Sequence, residues 1–141
     1  MVLKALVETG FMLALNPRDR HHEWAMRVLD EARRGEIVLH ISPAAPIELS
    51  LIMRARGFSD HDVARVLDAM STIIARYTRP RYPQLGVREL AYAAELRTRY
   101  PGLTFFDSIH AAVTITHRLT YYDLDETVRS TIANELEHNK H

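Results

Sequence analysis

Residues 2–10 read VLKALVETG, a short apolar run that stops at an acid, a threonine and a glycine. A run of this length that is bounded by a turn signal predicts a buried β-strand. Glu8 then lies at the carboxyl end of that strand. Helically spaced apolar residues follow, so the chain opens as a strand that leads into a helix.

The rest of the chain continues this alternation. Short apolar runs at 37–41 and 119–124 predict two more strands, and residues 84–87 could form another. Helical patterns fill the segments 18–34, 43–56, 59–74, 87–100, 107–117 and 126–137. Strands that alternate with helices predict a parallel sheet with helices on both faces. We therefore expect one α/β domain that spans residues 1–141.

Composition excludes several classes of function. The formal net charge is zero, so no global basic field marks a nucleic-acid partner, and any RNA contact needs a local patch. The absence of cysteine excludes disulfides and thiolate metal sites. No apolar run of about 18 residues and no cleavable leader is evident, so we expect a cytoplasmic protein without a membrane segment.

Acids lie where such a sheet places its ligand crevice, at strand ends and helix starts. Glu8 ends the first strand. Asp123 and Asp125 end the last strand two residues apart, so the strand period points both to one face. Asp107 precedes an apolar helix, where an Asp also serves as an N-cap, and Asp125 could cap the last helix in the same way.

Glu48 is informative because it lies among apolar residues of its own helix. The apolar arc consists of Ala44, Ile47, Leu51, Ile52 and Ala55. An acid there costs free energy unless an arginine or a metal ion pairs with it. Mg²⁺ and Mn²⁺ prefer carboxylate oxygens, so converging acids predict a site for one of these ions. Such a site suits phosphoryl transfer.

Four segments, taken in order, resemble the motifs of PIN-domain ribonucleases. They are Glu8-Thr9, Pro46-Ile47-Glu48-Leu49, Asp107-Ser108-Ile109-His110-Ala111-Ala112 and Asp123-Leu124-Asp125. The Asp-x-x-His-Ala-Ala segment is the most specific of them. Among these ribonucleases, the chain is most similar to the VapC toxins of toxin–antitoxin pairs.

The resemblance implies a three-layer α/β/α sandwich with a central parallel sheet. It also implies an endoribonuclease that uses Mg²⁺ or Mn²⁺, forms a homodimer and is held inactive by a small antitoxin. Carried over by motif, the catalytic and metal-binding acids fall on Glu8, Glu48, Asp107 and Asp125, with Asp123 as a further metal ligand.

Two positions depart from the family pattern, which has Asp in place of Glu8 and a hydroxyl residue in place of Asp123. These departures leave open a catalytically weak or silent PIN-like module that binds RNA or protein. A phosphoacceptor signalling domain also places acids at strand ends. That chemistry usually needs a lysine at a late strand end, and neither Lys4 nor Lys140 is placed there.

Two other features have alternative interpretations. His110 lies one helical turn beyond Asp107, which favours a hydrogen bond that holds the helix or orients Asp107 over metal ligation. The apolar cluster of Phe11, Met12, Leu13 and Leu15 exceeds what a short helix needs for its core face, which favours a partner surface.

Overall fold

A parallel sheet lies at the centre of residues 2–140, the part of the chain that the computed structural model describes. Its strands are β1 (Leu3–Val7), β2 (Ile37–Ile41) and β3 (Thr120–Tyr121), in the order β2-β1-β3. Val7 of β1 is level with Ile41 of β2, and Leu6 is level with Tyr121 of β3. The carboxyl ends of all three strands therefore meet at one edge of the sheet.

Helices cover both faces of this sheet. They are α1 (Thr9–Ala14), α2 (His22–Arg33), α3 (Ala44–Ala55), α4 (Asp60–Ala75), α5 (Val87–Arg99), α6 (Phe105–Thr116) and α7 (Glu126–His138). Successive strand residues face opposite sides, so Ala5 and Val7 pack with α1 to α4 while Leu6 packs with α5 to α7. The predicted α/β/α sandwich with a central parallel sheet is confirmed.

The strands differ from the sequence prediction at two places. β3 is shorter than the predicted 119–124, because the Tyr122 amide still bonds to Leu6 but Asp123 then turns towards the end of β1. The predicted strand at 84–87 is wrong. The extra pairing instead occurs earlier, as an isolated bridge between Arg81 and His40.

The apolar residues of α1 form part of the core. Phe11, Met12 and Leu15 are buried, and Phe11 contacts Trp24 edge-to-face at 6.1 Å between ring centres. Leu13 is the exposed member of the cluster, at 36%. The predicted partner surface at this helix is therefore wrong, because α1 packs against α2 and α3 and most of this apolar cluster is buried between them.

Within residues 2–140, no helix has both the length and the apolar character needed to cross a bilayer.

Candidate metal centre

The turn that follows β1 is tied to the segment that follows β3. Oδ2 of Asp123 accepts hydrogen bonds from the backbone amides of Glu8 at 2.8 Å and Phe11 at 3.0 Å. Oδ1 accepts a third from the Leu124 amide at 2.8 Å. These amides include N–H groups at the start of α1 that have no partner within their own helix. Asp123 thus caps α1 from across the sheet edge and fixes the backbone of Glu8.

Gly10 permits this close approach. A Cβ at that position would lie 2.6 Å from Oδ1 of Asp123, well inside van der Waals contact. The glycine of the Glu8-Thr9-Gly10 turn is therefore needed for space.

Glu8 points into a buried pocket of polar groups. The hydroxyl of Tyr121 donates to its Oε2 at 3.0 Å, and Nε2 of His110 lies 3.9 Å from its Oε1. Burial raises the pKa of the Glu8 carboxyl to about 7, although the charge of His110 opposes the shift and that of Asp123 adds to it. A buried carboxyl of this kind requires a cation to be stable in its charged form.

Glu48 meets Glu8 at the same edge. Its Oε1 accepts hydrogen bonds from the Thr9 hydroxyl and from Nε2 of His110, the latter at 2.9 Å. Burial alone would raise the pKa of Glu48, but these hydrogen bonds hold it below its ordinary value. The sequence allowed an arginine as a partner for Glu48, but among the described residues no arginine pairs with it. Its partners are His110 and Thr9.

The helical arc around Glu48 is less buried than its apolar character suggested. Ile47 and Leu51 are each 54% exposed, so α3 presents an apolar surface beside the acid. Glu48 lies at the boundary between that surface and the buried site.

His110 links the two acids to the end of β2. Its Nδ1 lies 2.7 Å from the hydroxyl oxygen of Ser42, and its ring is fully buried. Burial acts to lower the pKa of His110, but the hydrogen bond to Glu48 and the charge of Glu8 raise it above its ordinary value. The hydrogen bond predicted for His110 is present, but it joins Glu48 and Ser42 instead of Asp107.

Asp107 lies in the first turn of α6. The N-cap of that helix is Thr104, whose hydroxyl accepts from the Asp107 amide at 3.2 Å, so the capping role considered for Asp107 belongs to Thr104. The half-buried Asp107 carboxylate accepts no hydrogen bond from residues 2–140, and its charge contributes to the raised pKa of His110. Asp107 is therefore an acid close to the site, and both of its carboxylate oxygens are uncommitted within this range.

Asp125 caps α7, where it accepts from the Val128 amide at 3.0 Å. It is exposed, whereas Asp123 is buried against Glu8. The charge of Asp125 still reaches the site, because it contributes to raising the pKa of the Tyr121 phenol.

The five candidate acids thus differ in how close they lie to one another, and only Glu8 and Glu48 belong to the tight cluster of ligand atoms among the described residues. Ligand atoms of Glu8, Glu48 and His110 lie within 4.8 Å of one another. Sequence reasoning missed the roles of Ser42 and Tyr121. Ser42 carried a usable signal, because it is the first polar residue after a predicted strand.

The uncommitted atoms of this site are oxygens. Oε2 of Glu48 and both oxygens of Asp107 have no hydrogen-bond donor among residues 2–140, and Oε1 of Glu8 has only His110 at 3.9 Å. The Nε2 hydrogen of His110 points to Glu48, so this nitrogen offers no lone pair. An all-oxygen donor set fits a hard divalent cation such as Mg²⁺ or Mn²⁺.

Comparison with known proteins identifies the family of the chain. Residues 5–130 match the family described as PIN domain. VapC20 of Mycobacterium tuberculosis, described as a toxin that cleaves the sarcin–ricin loop, has a similar structure. It shares 20% sequence identity over 90% of this chain and 94% of its own, with a TM-score of 0.64. PAE2754 of Pyrobaculum aerophilum shares 17% identity over 96% of this chain and 88% of its own, with a TM-score of 0.53.

No relative was found among curated proteins. At these identities the two structural likenesses establish a shared fold. The resemblance seen in the sequence is confirmed by the family match, which covers most of the chain. The chain belongs to the PIN domain family.

Proposed function

We propose that this protein is a divalent-metal-dependent endoribonuclease that hydrolyses RNA phosphodiesters with Mg²⁺ or Mn²⁺. The observation that carries the proposal is the meeting of Glu8 and Glu48 at the carboxyl edge of the sheet, where the charge of Asp107 also acts on the pKa of His110. When bound, such an ion polarises the phosphodiester and lowers the pKa of an attacking water.

The protein's own groups hold this arrangement. Asp123 fixes the backbone from which Glu8 projects, and Tyr121 holds one of the Glu8 oxygens. Thr9 and His110 both donate to Oε1 of Glu48, which leaves Oε2 without a donor among residues 2–140. Preorganised carboxylates need no rearrangement when the ion and the substrate arrive.

We propose Glu8, Glu48 and Asp107 as metal ligands and catalytic acids. For the fourth acid we favour Asp125, with Asp123 in a supporting role. Asp123 commits both of its oxygens to backbone amides, whereas the capping bond of Asp125 uses one oxygen and leaves the other without a donor among residues 2–140.

We also propose that the protein is the toxin of a VapBC-type pair, with RNA as substrate, a small antitoxin as partner and a homodimer as its assembled form. VapC20, whose fold is similar, is described as a toxin that cleaves the sarcin–ricin loop. The exposed Ile47 and Leu51 beside Glu48 supply an apolar surface of the kind that partner contacts use.

A second candidate is a catalytically weak or silent module that binds RNA or protein. It is favoured by the length of Glu8, whose Oε2 is held by Tyr121, and by the commitment of both Asp123 oxygens. The test is cleavage of RNA by the full chain with Mn²⁺ and with EDTA. Metal-dependent cleavage supports the nuclease, whereas RNA binding without cleavage supports the silent module.

A further inference from the structure

A surface cavity of about 410 Å³ opens beside β3, between α2 and the start of α7. This volume lies within the range of ordinary small-ligand sites. The residues that line it include the aromatic residues Trp24, Tyr121 and Tyr122 and the arginines Arg27 and Arg129. Aromatic and arginine side chains together are the surfaces on which proteins hold unpaired nucleotides.

The cavity shares a wall with the candidate metal centre. Tyr121, whose hydroxyl donates to Glu8, is also one of the residues that line the cavity. The guanidinium carbon of Arg129 lies 5.5 Å from the centre of that ring, and the same group donates to the backbone carbonyl of Asp123. A ligand in the cavity would therefore be separated from the Glu8 carboxylate by the side chain of Tyr121.

The acids in the cavity walls are already engaged. Asp30 pairs with Arg33 and with Arg34, the latter at 3.0 Å. Both carboxylate oxygens of Glu31 accept from the Tyr122 hydroxyl, at 2.9 and 3.0 Å.

The positive charge in the walls is less engaged. Arg27 forms no ion pair within residues 2–140, and the pair of Arg129 with the exposed Glu126 is long, at 3.8 Å. Exposed pairs of this kind contribute little binding energy. Three arginines, Arg27, Arg34 and Arg129, against the two acids give the walls a small positive balance in a chain whose formal net charge is zero.

We propose that this cavity binds one unpaired nucleotide of the RNA, adjacent to the phosphodiester that is cleaved. The base contacts the rings of Trp24 and Tyr122. The phosphate group of that nucleotide contacts Arg27 and Arg129. This inference rests on the proposed ribonuclease function and adds to it a binding site for one base of the substrate.

Trp24 provides the readout because it is the chain's one tryptophan. Its fluorescence is followed while the full chain, in EDTA, is titrated with an oligouridylate of about eight nucleotides, a length within the range of single-strand binding sites. We expect saturable quenching. In Arg27→Gln the dissociation constant rises at least about fivefold, because a charge-assisted contact is lost.

The matched control is Arg88→Gln, which removes the same charge from α5, on the other face of the sheet. Its dissociation constant should stay within about twofold of wild type, since a distant exposed charge acts only through screened attraction. Inorganic polyphosphate is the second probe. It should leave Trp24 unquenched, because it has no base to stack.

Three results would overturn the proposal: no quenching by the oligonucleotide, equal weakening in both arginine variants, or equal quenching by polyphosphate. The first would fit a cavity that receives a protein side chain. Because the titration excludes metal and cleavage, it is independent of the nuclease assay. Quenching without cleavage would contradict the proposed function alone, and cleavage without quenching would contradict this inference alone.

Discussion

Nε2 of His110 lies 2.9 Å from Oε1 of Glu48, and this contact joins α6 to α3 at the carboxyl edge of the sheet. The same imidazole contacts Ser42 through its other nitrogen. One buried side chain therefore sets the position of an acid that belongs to a different helix. Groups that orient metal ligands in this way commonly change metal affinity when they are removed.

His110→Phe keeps a ring of similar size but removes both contacts. We expect the affinity for Mn²⁺ to fall roughly 10- to 100-fold, because Glu48 loses a donor that orients it. Isothermal titration with Mn²⁺ measures this. The control is His117→Phe, which removes a histidine at the other end of α6 whose ring bonds to the Gln84 carbonyl. Equal affinities in the two variants would show that His110 does not position Glu48.

Gly10→Ala tests the packing of the turn against Asp123. The new Cβ would lie 2.6 Å from Oδ1, so either the turn or the carboxylate must move. We expect a loss of about 1–3 kcal/mol in the free energy of unfolding. Urea denaturation followed by circular dichroism measures it.

Gly102→Ala is the matched control, because an added Cβ there has no neighbour within 4 Å. It should change the free energy of unfolding by less than about 0.5 kcal/mol. If both variants unfolded alike, the close approach of Gly10 to Asp123 would not constrain the turn.

Asp125→Asn tests the fourth acid. Asn caps a helix about as well as Asp, so the free energy of unfolding should change by less than about 0.5 kcal/mol. If the uncommitted oxygen of Asp125 serves the metal, the cleavage rate should fall at least about tenfold. Single-turnover cleavage compares this variant with Asp123→Asn. Full activity in Asp125→Asn would move the fourth ligand to Asp123.

Glu135 gives a stability prediction that is independent of the metal centre. It is buried in a cluster between α5 and α7, where Arg99, Tyr92 and Tyr100 donate to its carboxylate. Burial acts to raise the pKa of Glu135, but these donors hold it below its ordinary value. The contribution to stability is therefore present above the unfolded-state pKa, roughly 4.3, and is lost as pH falls through the lower folded-state pKa.

Glu135→Gln should accordingly destabilise the protein at neutral pH. The difference in the free energy of unfolding between this variant and wild type should shrink as pH falls below about 4. Urea denaturation across this range measures the difference, with the exposed Glu137→Gln on the same helix as the control. A difference that stayed constant with pH would show that the carboxylate charge of Glu135 is not what the cluster stabilises.

The fold could be predicted from the sequence because the apolar runs that form the strands are short and the helices between them are amphipathic. Glu8 was predicted at a strand end, and the register places it there beside β3. The cap that Asp125 forms on α7 was among the expectations from sequence, but the inward turn of Asp123 was not predictable. Strand periodicity treats them alike, but the chain leaves the sheet after Tyr122, so one turns inward and the other caps α7.

The role of His110 could not be predicted for a related reason. Its position on α6 was clear from the Asp-x-x-His-Ala-Ala segment, but its contacts depend on how α6 packs against α3 and the end of β2. Those contacts join residues that are 62 and 68 positions apart in sequence. Spacing along one helix favoured Asp107 as the partner, and tertiary packing brought Glu48 and Ser42 to the ring.

The most direct test of the metal-dependent nuclease is cleavage of single-stranded RNA by wild type and Asp107→Asn, each with Mn²⁺ and with EDTA. We expect wild type to cut only with metal and Asp107→Asn to cut under neither condition. The metal-free variant should be at least as stable as wild type, because it loses a charge from a crowded group of acids. Cleavage by wild type that persists in EDTA, or full activity in Asp107→Asn, would contradict the proposal.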